Sequence, residues 1–278
     1  MRLARVSGFA ALLAACSGGG HADMHGVDAT PASDVASTPD GPAAIVDEDG
    51  DGLDDVREQQ LAADYVPYLS LDPDDGCPRS GLVARVRPHP ADPAKVLIVY
   101  SHLFERDCGL AGHVGDNEAF GIVIDPAVPP PAGILAIRTA SHQGTPCERI
   151  SECSTCPLDD RTPCDVADVA GQTWPVLYAS KDKHGQYAAR SACSLFGTCF
   201  DQCTLNEARA LPPVVDVGEP AQPFTHDLTA DGFITAANGW TEPALMDFDP
   251  WDPATDFGGA GNIAGDLQDA TFEPAPCP

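Results

Sequence analysis

Short apolar runs separated by turns rich in Pro, Gly and Asp dominate the chain beyond its N-terminal region. Runs of this length, bounded by turn residues, predict β-strands. The predicted strands cover 82–86, 96–100, 120–124, 134–137 and 176–178. One short helix is predicted from Asp54 to about Asp64, where apolar residues lie near helical spacing. The whole pattern predicts a mainly β protein: an antiparallel β-sandwich with long disulfide-tied loops and one short N-terminal helix.

The charge balance narrows the classes of partner. The 278 residues include 42 acidic and 15 basic side chains, for a formal net charge of −27. An acidic excess this large excludes a nucleic-acid binder that follows the phosphate backbone, and it argues against docking on anionic lipid through a basic face. The 26 glycines and 27 prolines, about a fifth of the chain, disfavour a helical bundle.

The N-terminus has the pattern of an export signal. Two arginines within the first five residues precede an apolar run over 6–15, which is too short to span a membrane. The sequence Leu-Ala-Ala-Cys that ends at Cys16 resembles a bacterial lipobox, in which the cysteine receives a diacylglycerol and becomes the first mature residue. The resemblance implies a lipoprotein signal peptide over 1–15 and a lipid anchor at Cys16. An ordinary signal peptide cut near Ala15 is the alternative.

A tether is expected after the anchor. Residues 16–44 are mostly Gly, Ser, Ala, Pro, Thr and Asp without an apolar period, and such a segment cannot bury a core, so disorder is predicted. Ser17 stands where aspartate marks inner-membrane retention in some bacteria, which favours the outer membrane. The expected location is the bacterial cell envelope, with the membrane as a partner through the Cys16 lipid.

The cysteine count fits this compartment. Eleven cysteines are present, and assigning Cys16 to the lipid leaves ten. In an oxidising envelope these predict up to five disulfides, and the sequence leaves their connectivity open. Two local groups are suggested by closeness along the chain: Cys147, Cys153, Cys156 and Cys164, and Cys193, Cys199 and Cys203. Zinc is the alternative for the first group, but only one Cys-x-x-Cys pair is present and the compartment is exported, so disulfides are favoured.

The segment 47–58 matches a twelve-position calcium loop. Its expected ligands, at positions one, three, five, seven, nine and twelve, are Asp47, Asp49, Asp51, the Leu53 carbonyl, Asp55 and Glu58. Gly52 supplies the sharp turn at position six. Alternating acids in a tight loop converge on a hard cation that needs six to eight oxygens.

This loop resembles EF-hand loops, and more closely those of thrombospondin type 3 repeats and dockerins. The resemblance implies calcium as a structural cofactor within a loop-and-helix segment over 45–64, followed by the β-sandwich over 65–278. Asp54 occupies position eight, where paired EF-hands have an apolar residue, and no second matched loop follows, so a calcium sensor is not predicted. A solvated acidic linker is the alternative.

Two further carboxylates continue an apolar strand face. Asp116 and Glu118 alternate onto the same side as the apolar residues of the run 120–124. Acids in this position are costly unless they are paired or bound to a metal. Asp107 and His113, just upstream, are candidates to complete a ligand set. Three carboxylates with one histidine favour a second divalent cation (Ca, Mg or Mn) over zinc. A polar strand end with hydrogen-bonded acids is the alternative.

The segment 112–118 reads Gly-His-Val-Gly-Asp-Asn-Glu and resembles the signature Gly-His-Arg-His-Asp-Trp-Glu of the necrosis-inducing-protein-like family. Vacuolar protein sorting 62-like domains have a similar strand. Other family elements are matched in the same order by 100–107, 139–144 and 174–184, so the resemblance spans about 58–190. It implies a β-sandwich whose mouth holds a divalent cation through Asp107, His113, Asp116 and Glu118. Gly115 and Asn117 depart from the second histidine and the tryptophan of the signature.

Three functions follow from these patterns. The favoured one is a non-enzymatic, calcium-stabilised lipoprotein whose sandwich binds a glycan or lipid headgroup through a divalent cation. The first alternative is a metal-dependent hydrolase on the same site, with His142 or His184 as its base. The second, by resemblance to the family, is a membrane-damaging effector. No Gly-x-Ser-x-Gly nucleophile motif occurs, and a lipid-anchored protein is not freely secreted. The sequence leaves the oligomeric state open.

Overall fold

Two β-sheets with a shared apolar core form the frame of the protein. The computed structural model describes residues 46–77, 79–193, 199–204, 213–219, 228, 249–251 and 262–278. The predicted signal peptide, Cys16 and the tether lie outside the described residues.

The larger sheet has six strands in the spatial order β10-β2-β3-β4-β5-β6. Their bounds are Val214–Asp216 (β10), Arg79–His89 (β2), Asp92–Arg106 (β3), Val114–Ile124 (β4), Ile134–Ser141 (β5) and Arg149–Ser154 (β6). Strands β2 to β6 pair antiparallel with their neighbours in sequence. The short β10 lies parallel to β2 and forms one edge of the sheet.

The smaller sheet is built around β8. Its bounds are Tyr68–Ser70 (β1), Val166–Val169 (β7), Gln172–Ala179 (β8) and Gln186–Tyr187 (β9). Strand β8 pairs parallel with β1 and antiparallel with β7 and β9. The predicted fold class is confirmed: the protein is mainly β, with two sheets and several disulfides. Each predicted apolar run lies inside an observed strand.

The central strands of the larger sheet are buried on both faces. One face packs against the smaller sheet through residues such as Ile98, Phe120 and Val176. The opposite face packs under the C-terminal segment, where Leu97 and Phe272 belong to a second apolar cluster. Burial on both faces explains why the strands read as continuous apolar runs and do not alternate with polar residues.

Two short helices flank the larger sheet. Helix α1 (Asp55–Asp64) begins after Asp54, whose side chain accepts a hydrogen bond from the backbone N–H of Arg57 at 3.0 Å. This N-cap satisfies one of the donors that a helix start leaves open. Leu61 is buried in the inter-sheet core. Helix α2 (Ile263–Gln268), which the sequence pattern does not predict, packs on the outer face of the sheet.

All ten cysteines of the predicted set form disulfides, as expected. The five pairs are Cys77–Cys108, Cys147–Cys199, Cys153–Cys164, Cys156–Cys277 and Cys193–Cys203. The predicted grouping of neighbouring cysteines is only partly correct, because each of the two groups contains only one disulfide between its own members. Cys147, Cys156 and Cys199 bond outside their groups, because folding brings distant loops to them.

Among the described residues, no helix has the length and apolar character that a membrane span requires.

Candidate functional site

A pocket opens where β3 ends and β4 begins. Across these strands Phe104 is paired with Asp116, and His102 with Glu118. Gly115 adopts a left-handed backbone (φ 73°) immediately before Asp116. Because most residues with a Cβ are strained in that region, this position suits glycine.

The predicted metal ligands surround this pocket, which has a volume of about 390 Å³. Cavities of roughly 300–1,000 Å³ accommodate small ligands. All four of the predicted residues line it: Asp107, His113, Asp116 and Glu118. No three of them place ligand atoms within 4.8 Å of one another. The fold therefore brings the four residues around one cavity, but it does not close them into one coordination shell.

Asp116 is held in place by His184. The Nδ1 atom of His184 lies 2.7 Å from Oδ2 of Asp116, and its Nε2 atom lies 3.2 Å from Oδ2 of Asp75. The imidazole also stacks on the Phe104 ring, with 3.7 Å between the centroids. Burial alone would lower the pKa of His184, but the two carboxylates outweigh it and raise this pKa to about 9. A buried imidazolium between two acids suits positioning of Asp116 better than general-base catalysis.

Helix α2 contributes an acid that the sequence pattern did not predict. The Oδ2 atom of Asp266 accepts a hydrogen bond from Nδ2 of Asn117 at 2.6 Å, and both residues line the pocket. Burial raises the pKa of Asp266 to about 6, although the Asn117 hydrogen bond partly opposes the shift. Asn117 occupies the tryptophan position of the family signature. Its side-chain amide, hydrogen-bonded to α2, therefore replaces a large aromatic ring.

A histidine–carboxylate pair also faces the pocket. His142 lines it, and Nε2 of His142 lies 2.8 Å from Oδ2 of Asp201. Asp201 is 2% exposed and accepts a second hydrogen bond from the Tyr187 hydroxyl at 2.6 Å. His142 has a left-handed backbone with φ 55°. Asp201 and Asp266 lie far along the chain from the 107–118 segment, so local spacing gave no signal for either.

The pocket carries excess negative charge. Burial raises the pKa of Glu118 well above its ordinary value, and the neighbouring acids, with Asp116 first, add to this shift. Lys183 lies 3.4 Å from Asp107 and is the only lysine or arginine among the pocket-lining residues. Protonation or a bound cation must offset the remaining charge. Carboxylate oxygens are the donors that Ca, Mg and Mn prefer, so the acids of the pocket suit a divalent cation of this kind.

The predicted calcium loop is a separate site beside α1. Asp47 accepts hydrogen bonds from the backbone N–H groups of Gly50 and Gly52, at 2.8 and 3.1 Å. Gly52 has φ 97°, as expected for the sharp turn at position six. Asp51 accepts from the N–H of Leu53 at 2.7 Å. The acid at position eight, Asp54, is explained by its role as the N-cap of α1.

Two overlapping groups of loop carboxylates have ligand atoms within 4.8 Å of one another. They are Asp47, Asp49 and Asp55, and Asp49, Asp51 and Glu58. Leu53 packs partly against the core. Burial, followed by the charge of Asp216, raises the pKa of Glu58 to about 10. Burial likewise raises the pKa of Asp216 to about 8. Asp216 directly follows the apolar residues Val214 and Val215, and this pattern could have indicated a buried carboxylate from the sequence alone.

Comparison with known proteins finds no matching family and no match among curated proteins. Similar solved structures include one described as a toxin fold for microbial attack and plant defence, at 14% identity and TM-score 0.30, covering 78% of this chain and 88% of that chain. Another is NLPPya in complex with glucosamine, at 15% identity and TM-score 0.35, covering 78% and 87%. Both are necrosis and ethylene-inducing peptide-like proteins, the family that the ordered motifs resemble. At these scores the likeness carries no conclusion about activity.

Replacing Asp51 with alanine is expected to abolish calcium-dependent stabilisation. If the loop binds calcium, a concentration about 50 times the Kd stabilises the fold by about 2 kcal/mol, which raises the Tm by about 5 °C. The Tm of the wild type and of the variant, each with calcium and with chelator, measures this difference. Glu48→Ala is the matched control, since Glu48 is exposed in the same loop. An Asp51→Ala protein with the full calcium response would show that the loop is not the site.

Proposed function

We propose that this protein is a calcium-stabilised, lipid-anchored protein of the cell envelope whose sandwich binds a ligand through a divalent cation in the pocket. The observation that carries the proposal is the convergence of Asp107, Asp116, Glu118 and Asp266 on one open cavity with a single lysine. Such a cavity repels anionic ligands on its own and attracts cations. A ligand with oxygen donors is favoured once a cation is bound.

The ligand class follows from the chemistry of the cation. Ca, Mg and Mn prefer oxygen donors, and an ion held by only some of these carboxylates keeps coordination positions open for other ligands. Sugar hydroxyls and headgroup phosphate oxygens are donors of this kind. A volume of about 390 Å³ suits one sugar ring or one headgroup. We therefore propose a glycan or a lipid headgroup as the ligand.

The anchor is the other part of the proposal. It is supported by the sequence Leu-Ala-Ala-Cys at Cys16 and by the Gly- and Ser-rich residues that follow it. A lipid at Cys16 would hold the sandwich near a membrane surface, with the outer membrane favoured by Ser17. A tether of this composition would let the pocket reach ligands away from the bilayer.

A metal-dependent hydrolase is the second candidate, and the His142–Asp201 pair favours it. A carboxylate bonded to one ring nitrogen fixes the orientation of an imidazole and strengthens it as a base. Here the pair borders the same pocket as Glu118. His142, oriented by Asp201, could accept a proton from water, while a bound divalent cation would supply Lewis acidity.

The metal content of pocket variants tests both candidates. We expect His113→Ala and Glu118→Ala each to lose one divalent ion per chain, because each removes a donor from the cavity, while the loop retains its calcium. Elemental analysis after equilibration with Ca, Mg and Mn measures this. Asp168→Ala is the control, since Asp168 is exposed on β7 and does not line the pocket.

Unchanged metal content in both variants would exclude a cation in the pocket. Metal-dependent retention on immobilised glycans or on phospholipid vesicles, lost in Glu118→Ala, would support the binding function. Phosphoesterase or glycosidase activity that disappears in His142→Ala would favour the hydrolase instead. Leakage of vesicle contents would favour the membrane-damaging alternative.

A further inference from the structure

The calcium loop contains buried carboxylate oxygens that have no hydrogen-bond donor. Glu58 is 1% exposed, and its Oε1 atom has no partner among the described residues. The same holds for Oδ2 of Asp51. Buried polar atoms are nearly always satisfied, so each of these oxygens calls for a ligand. Asp51 and Glu58 also belong, with Asp49, to the group of carboxylates that have ligand atoms within 4.8 Å of one another.

A third buried oxygen reaches this cluster from the edge of the larger sheet. Asp216 ends β10, is 1% exposed, and has no hydrogen-bond partner for its Oδ2 atom within the described part of the chain. Its Oδ1 atom accepts a long hydrogen bond, 3.4 Å, from the N–H of Gly218. Strand β10 packs against α1, the helix that carries Glu58.

Hydrogen bonds fix Asp216 beside the loop. Its backbone N–H donates to Oε1 of Gln59 on α1 at 3.0 Å, and Nε2 of Gln59 donates to the carbonyl of Val214 at 3.0 Å. The N–H of Glu219 donates to Oδ2 of Asp49 at 2.9 Å. These three bonds join the loop and α1 to a segment that lies 157 residues after Gln59. The position of Asp216 is therefore determined by the fold.

No ion pair of the described residues involves this cluster. The described ion pairs include none to Asp49, Asp51, Glu58 or Asp216. Two arginines of β2 form ion pairs with other acids, Arg85 with Glu219 and Arg87 with Glu273. Four neighbouring carboxylates that form no ion pair are costly to bury unless cations or protons are bound.

We propose that Asp216 is a ligand of the loop calcium, so that one ion joins Asp49, Asp51 and Glu58 to the end of β10. This rests on the proposed calcium loop and extends it: the site is not self-contained in twelve residues. The ion fastens α1 and the segment that leads into it to the edge of the larger sheet. Asp55, at position nine, is then expected to contribute less to calcium binding, because its Oδ1 atom already accepts a hydrogen bond from the backbone N–H of Glu48 at 3.0 Å.

Calcium titration of Asp216→Asn tests this. The titration is made on the full chain in a Glu118→Ala background, so that the pocket does not contribute. We expect calcium affinity to fall at least about tenfold, since ligand charge sets affinity in such loops. Glu48→Gln removes one charge from the same loop and should change affinity less than about twofold. In the Glu118→Ala parent, calcium should slow amide hydrogen exchange in both 46–64 and 213–219. When Asp216→Asn is added, calcium should slow exchange in 213–219 far less.

A second measurement separates a ligand from a structural residue. With chelator, the protein that carries both Glu118→Ala and Asp216→Asn should unfold at a higher temperature than the Glu118→Ala parent, because asparagine avoids the cost of burying a carboxyl group beside other acids. With saturating calcium the order should reverse. If the parent binds no calcium, the loop site itself is wrong. Two results would show that the loop binds calcium without Asp216 as a ligand. In the first, the Glu118→Ala parent binds calcium and adding Asp216→Asn changes the affinity no more than adding Glu48→Gln does. In the second, the parent binds calcium and Asp216→Asn lowers its stability in chelator as well.

Discussion

Replacing both Cys156 and Cys277 by serine is expected to lower the free energy of unfolding by about 5 kcal/mol. The two cysteines are 121 residues apart, and the entropy that a disulfide removes from the unfolded chain grows with the loop it closes. This disulfide also secures the C-terminal segment on the outer face of the larger sheet, where Phe272 is 1% exposed. Denaturation in urea, with each unfolding curve followed by two probes, measures the loss.

A short disulfide loop supplies the control. Cys193 and Cys203 are 10 residues apart, so removing both should lower the free energy of unfolding by about 3 kcal/mol on the same chain-entropy argument. Equal losses in the two double variants would contradict the dependence on loop length. A loss below about 1 kcal/mol for the Cys156–Cys277 pair would show that the C-terminal segment stays docked without it.

His184→Asn is expected to destabilise the protein by about 3 kcal/mol, because it leaves Asp75 and Asp116 without the buried cation between them. Asparagine is chosen since His184 has φ 59°, a conformation that Asn tolerates better than most residues. His113→Asn, an exposed histidine of the same pocket, should cost less than about 1 kcal/mol. Urea denaturation of both variants, with chelator present, tests the difference.

The effect of His184 should depend on pH in a defined direction. Its folded pKa, about 9, lies above the ordinary value of 6.5, so the folded state binds the proton more tightly than the unfolded state does. The stabilisation is therefore complete below about pH 6.5 and is lost as the pH rises through about 9. A stability difference between the wild type and His184→Asn that stays constant from pH 6 to 10 would contradict a charged His184.

Strands β2, β3, β4, β5 and β8 could be predicted because their buried segments read as apolar runs, whereas β1, β6, β7 and β9 contain no such run. The run 96–100 lies within β3 and the run 120–124 within β4. Helix α1 was predicted to within one residue, since Asp54 caps it. Strand β10 and helix α2 could not be predicted, because they contain only 3 and 6 residues and are held by packing on the sheet.

The candidate sites were predictable only where their residues are close in sequence. Recognisable spacings mark two sets of acids: those of 47–58, and the pair Asp116 and Glu118. In the fold, the first set lies together in the loop before α1 and the second lines the pocket. Asp216 and Asp266 join these sets through tertiary packing, which spacing does not encode. The sequence alone suggests His184 as a base of a metal-dependent hydrolase. Its burial between two carboxylates depends on loops that meet only in the folded protein.

The disulfide connectivity also bears on how the chain must be produced. Only Cys77 and Cys108 are consecutive cysteines; each of the other four pairs skips at least one cysteine that lies between its members. A chain oxidised in the order of its emergence would first join neighbours such as Cys147 and Cys153, and these bonds must then be exchanged. Thiol–disulfide exchange requires an available thiolate. Correct material therefore calls for a disulfide isomerase or a redox shuffling buffer, and rapid air oxidation should yield scrambled isomers.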